Sequence, residues 1–323
     1  MTLRRALGAL LAVASVGAGA LVGGPAASAA DAVTPVTAGT TTVTVDVGGT
    51  TRSAVVHVPA SVADRPGRRV PLVLHLHGGG GSPQNSIDTT GLVEAADVHG
   101  FIVAFPQGTP IAVPLPGGVT GYVWNAGSCC AVAAREGIDD VTFLDDLIDE
   151  LEQTLPVDSD RVVMSGHSNG AMMAWRFACE RGGVLAAAVP VAGSLETADP
   201  GACRPRGTSL FAAHGDADRN HPIEGGSGTR SVSGVAYRSF AESVAAYATA
   251  SGCAARTRVR ETAVTTTTEY RRCARDARVE SVVVHGADHP WPGAVASGIA
   301  IQGEPFADWS ATAAVVEVVD RTG

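Results

Sequence analysis

Residues 161–175 read RVVMSGHSNGAMMAW. An apolar, β-branched run ends in Ser165-Gly166-His167-Ser168-Asn169-Gly170, and a helix-forming run follows at once. A serine between two glycines at a strand-to-helix turn is the nucleophile-elbow pattern. The tight, strained turn lifts the hydroxyl clear of the backbone, and the glycines relieve the crowding around it. A chain with 39 glycines also forms Gly/Ser turns that carry no chemistry. The motif therefore gains weight only if the rest of the sequence supplies a histidine, an acid and an oxyanion hole in a consistent order.

Outward from the elbow lie further short apolar runs: VPLVLHLH (70–77), GFIVAFP (100–106), LAAAVPVAG (185–193), SLFAAHG (209–215) and VESVVVHG (279–286). Runs of this length and composition predict strands buried on both faces of a parallel sheet. A polar/β-branched alternation around Gly48-Gly49 (40–60) predicts an antiparallel hairpin ahead of them. Helical patterns fill the gaps. DDVTFLDDLIDELEQTL (139–155) puts Val141, Leu144, Ile148, Leu151 and Leu155 on one face, and 170–180, 233–252 and 305–320 supply others. Alternating strands and helices imply one α/β domain over 31–323, with a mostly parallel sheet and helices on both faces. The Thr-rich stretch 262–270 reads as an exposed strand.

The chain has 323 residues, is 45% hydrophobic and 17% charged, and contains no lysine. The formal charge of -9 argues against nucleic acid and anionic membranes as partners. Residues 1–30 have the make-up of a secretory leader: basic MTLRR, an apolar stretch, then Ala27-Ser28-Ala29 as a small-residue cleavage site near Ala29 or Ala30. That site and the Gly-rich apolar stretch count against a permanent membrane anchor. Removing the leader takes Arg4 and Arg5 and moves the charge from -9 to -11. The exported part holds all six cysteines, Cys129, Cys130, Cys179, Cys203, Cys253 and Cys273. An even number in an exported protein predicts up to three disulfides, Cys253–Cys273 being the simplest pair because the loop it closes is short. A zinc site would want CxxC or Cys/His clusters, and the adjacent Cys129-Cys130 does not give that spacing.

Function in such sheets sits at the carboxyl ends of the strands. The run 70–77 ends at His77 and passes into Gly78–Gly81, a loop able to aim backbone N–H groups at an oxyanion. A phosphate-binding loop would need a lysine the chain lacks. Ser168 follows, then His214-Gly215 with Asp216 and Asp218, then His285 and His289. Ser–acid–His is the α/β-hydrolase order.

Taken together, GHSNGAMMA, WNAGSCC, DDVTFLDDLI, HGDAD and HPWPG resemble the secreted polyhydroxybutyrate-depolymerase and feruloyl-esterase group of α/β-hydrolases, over nearly all of the chain beyond residue 40. The resemblance implies Asp218 as the acid, the last residue of His-Gly-x-x-Asp. It implies His289, two before Trp-Pro-Gly, as the base. Gly usually precedes that histidine in the group; here Asp288 sets a carboxylate beside the base.

The expected chemistry follows from residue type. His289 takes the Ser168 proton and returns it to the leaving alcohol, Asp218 orients the imidazole, and the N–H groups of Asn169 and of Gly78 or Gly79 hold the oxyanion. No metal or organic cofactor is called for. Trp291 and Trp124 are candidate pocket walls, with core packing the competing role. Asp216 is expected to shape a turn and His285 to be a satisfied core residue. His75 and His214 should bond to backbone, and Met172 and Met173 should pack in the core. Asp139 and Asp140 should serve a helix start. The expected activity is that of a secreted serine carboxylesterase. The expected substrate is a polyhydroxybutyrate-type polyester or, close behind, feruloyl or acetyl groups on plant polysaccharide. Acyl transfer to a sugar or lipid alcohol, a peptidase, and a non-catalytic binding protein are the other classes the sequence leaves open.

Overall fold

Each of the apolar runs becomes a strand. The computed structural model describes residues 36–65, 67–111, 120–294 and 303–323; the expected secretory leader lies outside them. In chain order the strands are β1 (Gly39–Val47), β2 (Thr50–Val58), β3 (Val70–Leu76), β4 (Ile102–Pro106), β5 (Thr109–Pro110) and β6 (Tyr122–Val123), then β7 (Val157–His167), β8 (Ala187–Val191), β9 (Ser209–Gly215), β10 (Ala254–Glu261), β11 (Thr265–Arg271) and β12 (Val279–Val284). The helices are α1 (Ala60–Ala63), α2 (Pro83–Thr90), α3 (Leu92–His99), α4 (Ala131–Arg135), α5 (Asp140–Thr154), α6 (Asn169–Glu180), α7 (Phe240–Ala250) and α8 (Ala311–Arg321).

Ten strands form one sheet in the order β1-β2-β4-β3-β7-β8-β9-β12-β11-β10. The six from β4 to β12 run parallel, and antiparallel pairs extend both edges. β3 and β4 are buried along their whole length, as strands covered on both faces must be. One face packs on α5, α6 and α7 through Leu147, Leu151, Phe177 and Tyr247, and the other on α3 and α8 through Leu92, Ala96, Val315 and Val319. The architecture is the α/β-hydrolase fold expected from the element order.

The six cysteines pair as Cys129–Cys130, Cys179–Cys203 and Cys253–Cys273. The last of these closes the β10–β11 hairpin. Strand β10 lacks the apolar signal that marks the others, being exposed from Ala255 to Glu261. The helix at 139–155 starts as its pattern predicts, but its two acids separate. Asp139 is the N-cap, accepting from the Thr142 N–H at 3.0 Å. Asp140 is fully buried. It takes the Arg52 guanidinium at 2.8 Å and the Asn125 N–H at 2.8 Å. It stands in the first turn of α5, as expected, and serves there as a buried tether as well. Burial pushes its carboxyl above the usual carboxylate range, with Arg52 pulling the other way.

Candidate active site

β7 lies in the middle of the sheet, between β3 and β8, and its carboxyl end delivers the elbow. Ser168 has φ 55 and ψ -120, a left-handed conformation in a non-glycine residue, and strain of this kind persists only where the surroundings enforce it. Here the Ser168 N–H donates to the Val191 carbonyl at 3.0 Å, and its own carbonyl accepts the Met172 N–H at 3.0 Å. The flanking glycines are required by space. A Cβ on Gly166 would collide with the Gly170 carbonyl, and one on Gly170 with the carbonyls of Leu76 and His77.

Two other strand ends bring their residues to the serine. His289, in the loop after β12, places Nε2 2.9 Å from Ser168 Oγ. Its Nδ1 lies 2.7 Å from Oδ2 of Asp218, in the loop after β9. An ionised Asp218 accepts only, so Nδ1 carries the proton and Nε2 is left to accept from the serine hydroxyl. Asp218 and His289 are buried, and Ser168 keeps partial exposure. Burial alone would raise the Asp218 carboxyl. The charges of and hydrogen bonds from His289 and His214 outweigh it and hold the group far below the ordinary carboxylate range. Its second oxygen accepts the N–H groups of Asn220 and His221, each at 2.8 Å.

The glycine loop after β3 lies against the elbow. A Cβ on Gly78 would sit 3.4 Å from Ser168 Cβ, and one on Gly79 3.5 Å from Asn169 Cβ. The N–H groups of Gly79 and Asn169 meet no acceptor among the described residues. The loop is pinned from below. Trp124 Nε1 donates to the His77 carbonyl at 3.0 Å, and the Gly108 N–H donates to His77 Nε2 at 3.1 Å. The Asn169 side chain clasps the Trp124 backbone, accepting its N–H at 2.7 Å and donating to its carbonyl at 3.0 Å.

Of the two roles open to the tryptophans, pocket wall and core packing, burial favours the second. Trp124 is fully buried between His77 and Phe143. Trp291 is 4% exposed, packs edge-on to His75, and donates from Nε1 to Thr312. Met172 and Met173 are buried, as expected. His75 bonds to the Ser165 hydroxyl at 2.8 Å, not to backbone. His214 does meet backbone, at the His221 carbonyl, and stands 3.5 Å from Asp218. His285 is not a core residue: it is partly exposed and pairs at 2.9 Å with Asp216. Asp216 also accepts the Gly286 N–H and so joins the turns after β9 and β12.

Three contributors escaped the sequence. His167, inside the elbow motif itself, lies with Nε2 2.7 Å from the His289 carbonyl and anchors the base loop. Burial pushes its imidazole down to about 4, so it stays neutral at working pH. His221 donates its backbone to Asp218, as described. Asp288, legible only as an odd neighbour of the base, is a clip. Its Oδ1 accepts the N–H of Arg219 at 3.2 Å and of His289 at 3.0 Å, which joins the acid loop to the base loop. Its Oδ2 takes the guanidiniums of Arg219 at 2.6 Å and Arg230 at 3.0 Å.

Comparison with known proteins agrees with this architecture. Residues 59–236 match the phospholipase/carboxylesterase family. The chain is 33% identical over 290 residues to NocK, a suspected esterase of Nocardia uniformis subsp. tsuyamanensis, covering 83% of this chain and 80% of that one. It is 34% identical over 140 residues to feruloyl esterase B of Piromyces equi, 43% of this chain but only 24% of that much longer protein. Among solved structures, an acetyl xylan esterase from Aspergillus awamori superposes with TM-score 0.53 at 17% identity, over 79% of this chain and 94% of that one, which shows the shared fold. The chain belongs to the phospholipase/carboxylesterase family of α/β-hydrolases and is a serine-esterase-type carboxylic-ester hydrolase.

Proposed function

We propose that the protein is exported and removes small acyl groups, acetyl above all, from plant cell-wall polysaccharide, with Ser168, His289 and Asp218 as its catalytic residues. The hydrogen-bonded series Ser168–His289–Asp218 carries the chemistry. Ser168 Oγ attacks the ester carbonyl carbon while its proton passes to His289 Nε2. The negative charge that grows on the former carbonyl oxygen is met by the N–H groups of Gly79 and Asn169, with Gly78 completing the turn that presents them. His289 then gives its proton to the departing sugar hydroxyl and leaves an acyl-Ser168. Water, deprotonated by the same imidazole, releases the acid. Asp218 stabilises the imidazolium throughout, and its depressed pKa keeps it ionised to do so.

The substrate assignment has two supports. Relatives whose names state a substrate are feruloyl and acetylxylan esterases, from Piromyces equi and Coprinopsis cinerea among others, which moves polysaccharide esters ahead of polyhydroxybutyrate. Trp124 and Trp291 are buried and offer a ferulate ring no wall, which favours acetyl over feruloyl. The same burial leaves short hydroxyacid polyesters as the second reading. Export is supported by the leader-like residues 1–30 and by the paired cysteines.

The test is product release from acetylxylan, methyl ferulate and polyhydroxybutyrate oligomers, with Ser168→Ala as control. Acetate release that vanishes in Ser168→Ala is expected. Hydroxybutyrate or ferulate as the main product would replace the acetyl assignment. Activity surviving in Ser168→Ala would remove the serine from its role.

A further inference from the structure

The β10 edge of the sheet is basic in a protein whose net charge is -9. Strand β10 carries Arg258 and Arg260 two positions apart in its regular ladder, on one face and about 7 Å from each other, and Arg256, at the break in register ahead of them, lines the same groove as Arg258. Arg271 ends β11, Arg272 follows it, and Arg278 stands just ahead of β12. All six are exposed. They line two adjoining grooves of about 720 and 440 Å3 that share Arg258, Arg271 and Arg272, and so form one trough. Arg321 of α8 closes one side.

The trough is under-neutralised. Glu280 at its floor is spoken for by Arg260 at 3.9 Å and Arg321 at 3.7 Å, and Glu269 by Arg271 at 3.6 Å. Arg256, Arg258, Arg272 and Arg278 have no carboxylate partner among the described residues. Charge on an edge strand commonly blocks edge-to-edge pairing. That accounts for β10 alone, not for arginines that converge on the same hollow from the loops around β11 and β12 and from α8.

We propose that this trough docks an acidic polysaccharide, a chain bearing uronate carboxylates, while the catalytic serine works on acyl groups elsewhere on the same polymer. Single carboxylates spaced along a sugar chain suit separate guanidiniums, each able to engage one carboxylate through two parallel hydrogen bonds. A nucleic-acid strand fits less well. Tyr270 is the one aromatic among the trough's lining residues, so there is no run of rings for bases to stack on. The trough sits by Arg278 and Val279, where β12 begins, while His289 follows the end of that strand. The two sites are thus about 20 Å apart along the sheet. Docking there leaves the serine unobstructed and holds further esters at high local concentration. The inference rests on the polysaccharide reading of the site for its purpose, but not for the binding itself.

The test is affinity electrophoresis of the full chain through gels containing polygalacturonate, neutral arabinoxylan or single-stranded DNA, at low and at 0.3 M salt. The forms compared are the wild type, Ser168→Ala, and the triple variant Arg256→Ser, Arg258→Ser, Arg272→Ser. Expected are retardation by polygalacturonate alone, lost at high salt and unchanged in Ser168→Ala. The triple variant should bind about tenfold more weakly and hydrolyse a soluble aryl acetate at the wild-type rate. Absence of retardation, equal retardation of the triple variant, or equal retardation by DNA would overturn the proposal. An inactive Ser168→Ala that still binds keeps this result separate from the assignment of the nucleophile.

Discussion

Replacing Asp288 with glycine, the residue usual before the base in the resembling group, removes the clip between the two loops that carry the acid and the base. Its side chain is 10% exposed. Hydrogen bonds to a charged acceptor contribute about 1.5–3 kcal/mol each where solvent is excluded. Arg219, 55% exposed, returns to water at little cost, so the main loss is the two backbone amides held by Oδ1, about 3 kcal/mol together at the lower end of that range. On that basis Tm should fall by about 6 °C. Catalysis should suffer more than folding, because Asp218 and His289 then drift relative to each other, and displacement near 1 Å costs up to about 100-fold. The expectation is kcat down about 10- to 100-fold on an aryl acetate, with KM within about threefold. Asp288→Asn keeps an oxygen for both amides and should hold kcat within about threefold. Burial would raise this carboxyl, but hydrogen bonds from Arg219 and from the His289 N–H leave it lower than usual, so both effects should be constant from pH 5 upward. Saturation kinetics on the two variants decide the matter. A glycine variant with wild-type kcat would refute the clip, and an asparagine variant as slow as the glycine one would show that charge, not amide anchoring, is what counts.

Three further outcomes are expected. The buried imidazoles of His75, His77 and His167 are pushed down from 6.5 to about 3, 4 and 4, chiefly by desolvation. The unfolded chain therefore takes up protons that the folded one refuses. Stability should be complete above about pH 7 and fall as pH drops toward 4, at up to about 4 kcal/mol per pH unit; a calorimetric Tm that stays flat from pH 6.5 to 5 would contradict this. Asp218 adds a separate loss only at lower pH, since its depressed carboxyl stabilises the fold above the ordinary carboxylate range and gives that up as pH falls through it. Replacing Cys253 and Cys273, 20 residues apart, by serine should cost about 3 kcal/mol in chemical denaturation and leave aryl acetate turnover at 25 °C unchanged, because the hairpin lies at the sheet edge; lost turnover would tie that edge to the site.

What the sequence revealed was what local physics decides. The elbow is legible because its whole signal, two glycines spaced around a serine between a strand and a helix, is carried by adjacent residues, and the parallel strands because burial on both faces leaves few polar residues in them. What it concealed depended on partners far away. Asp139 and Asp140 look alike at a helix start, and only Arg52, 88 positions away, makes one a cap and the other a buried tether. Aromatic residues beside a motif do not reveal which way their rings turn, so the sequence left Trp124 and Trp291 open between pocket wall and core, and both are buried. Strand β10 has no apolar rhythm because neither of its faces is buried; pairing with β11 and the bond to Cys273 hold it in place.

The tether at Asp140 also governs how freely the molecule can be re-engineered. One carboxylate stitches together Arg52 of the first hairpin, the Asn125 backbone just after Trp124, and the start of α5. Through Asn169, Trp124 in turn reaches the turn that holds Ser168. The opening hairpin, which on a topology diagram looks like a detachable flap on the sheet, is therefore a foundation of the reaction centre. A trimmed version lacking β1 and β2 would strand a carboxylate without its counter-charge and loosen the floor beneath the glycine loop. Shortened or permuted forms need their new ends cut elsewhere, and the exposed Thr262–Thr265 turn between β10 and β11 is the better place to open the chain.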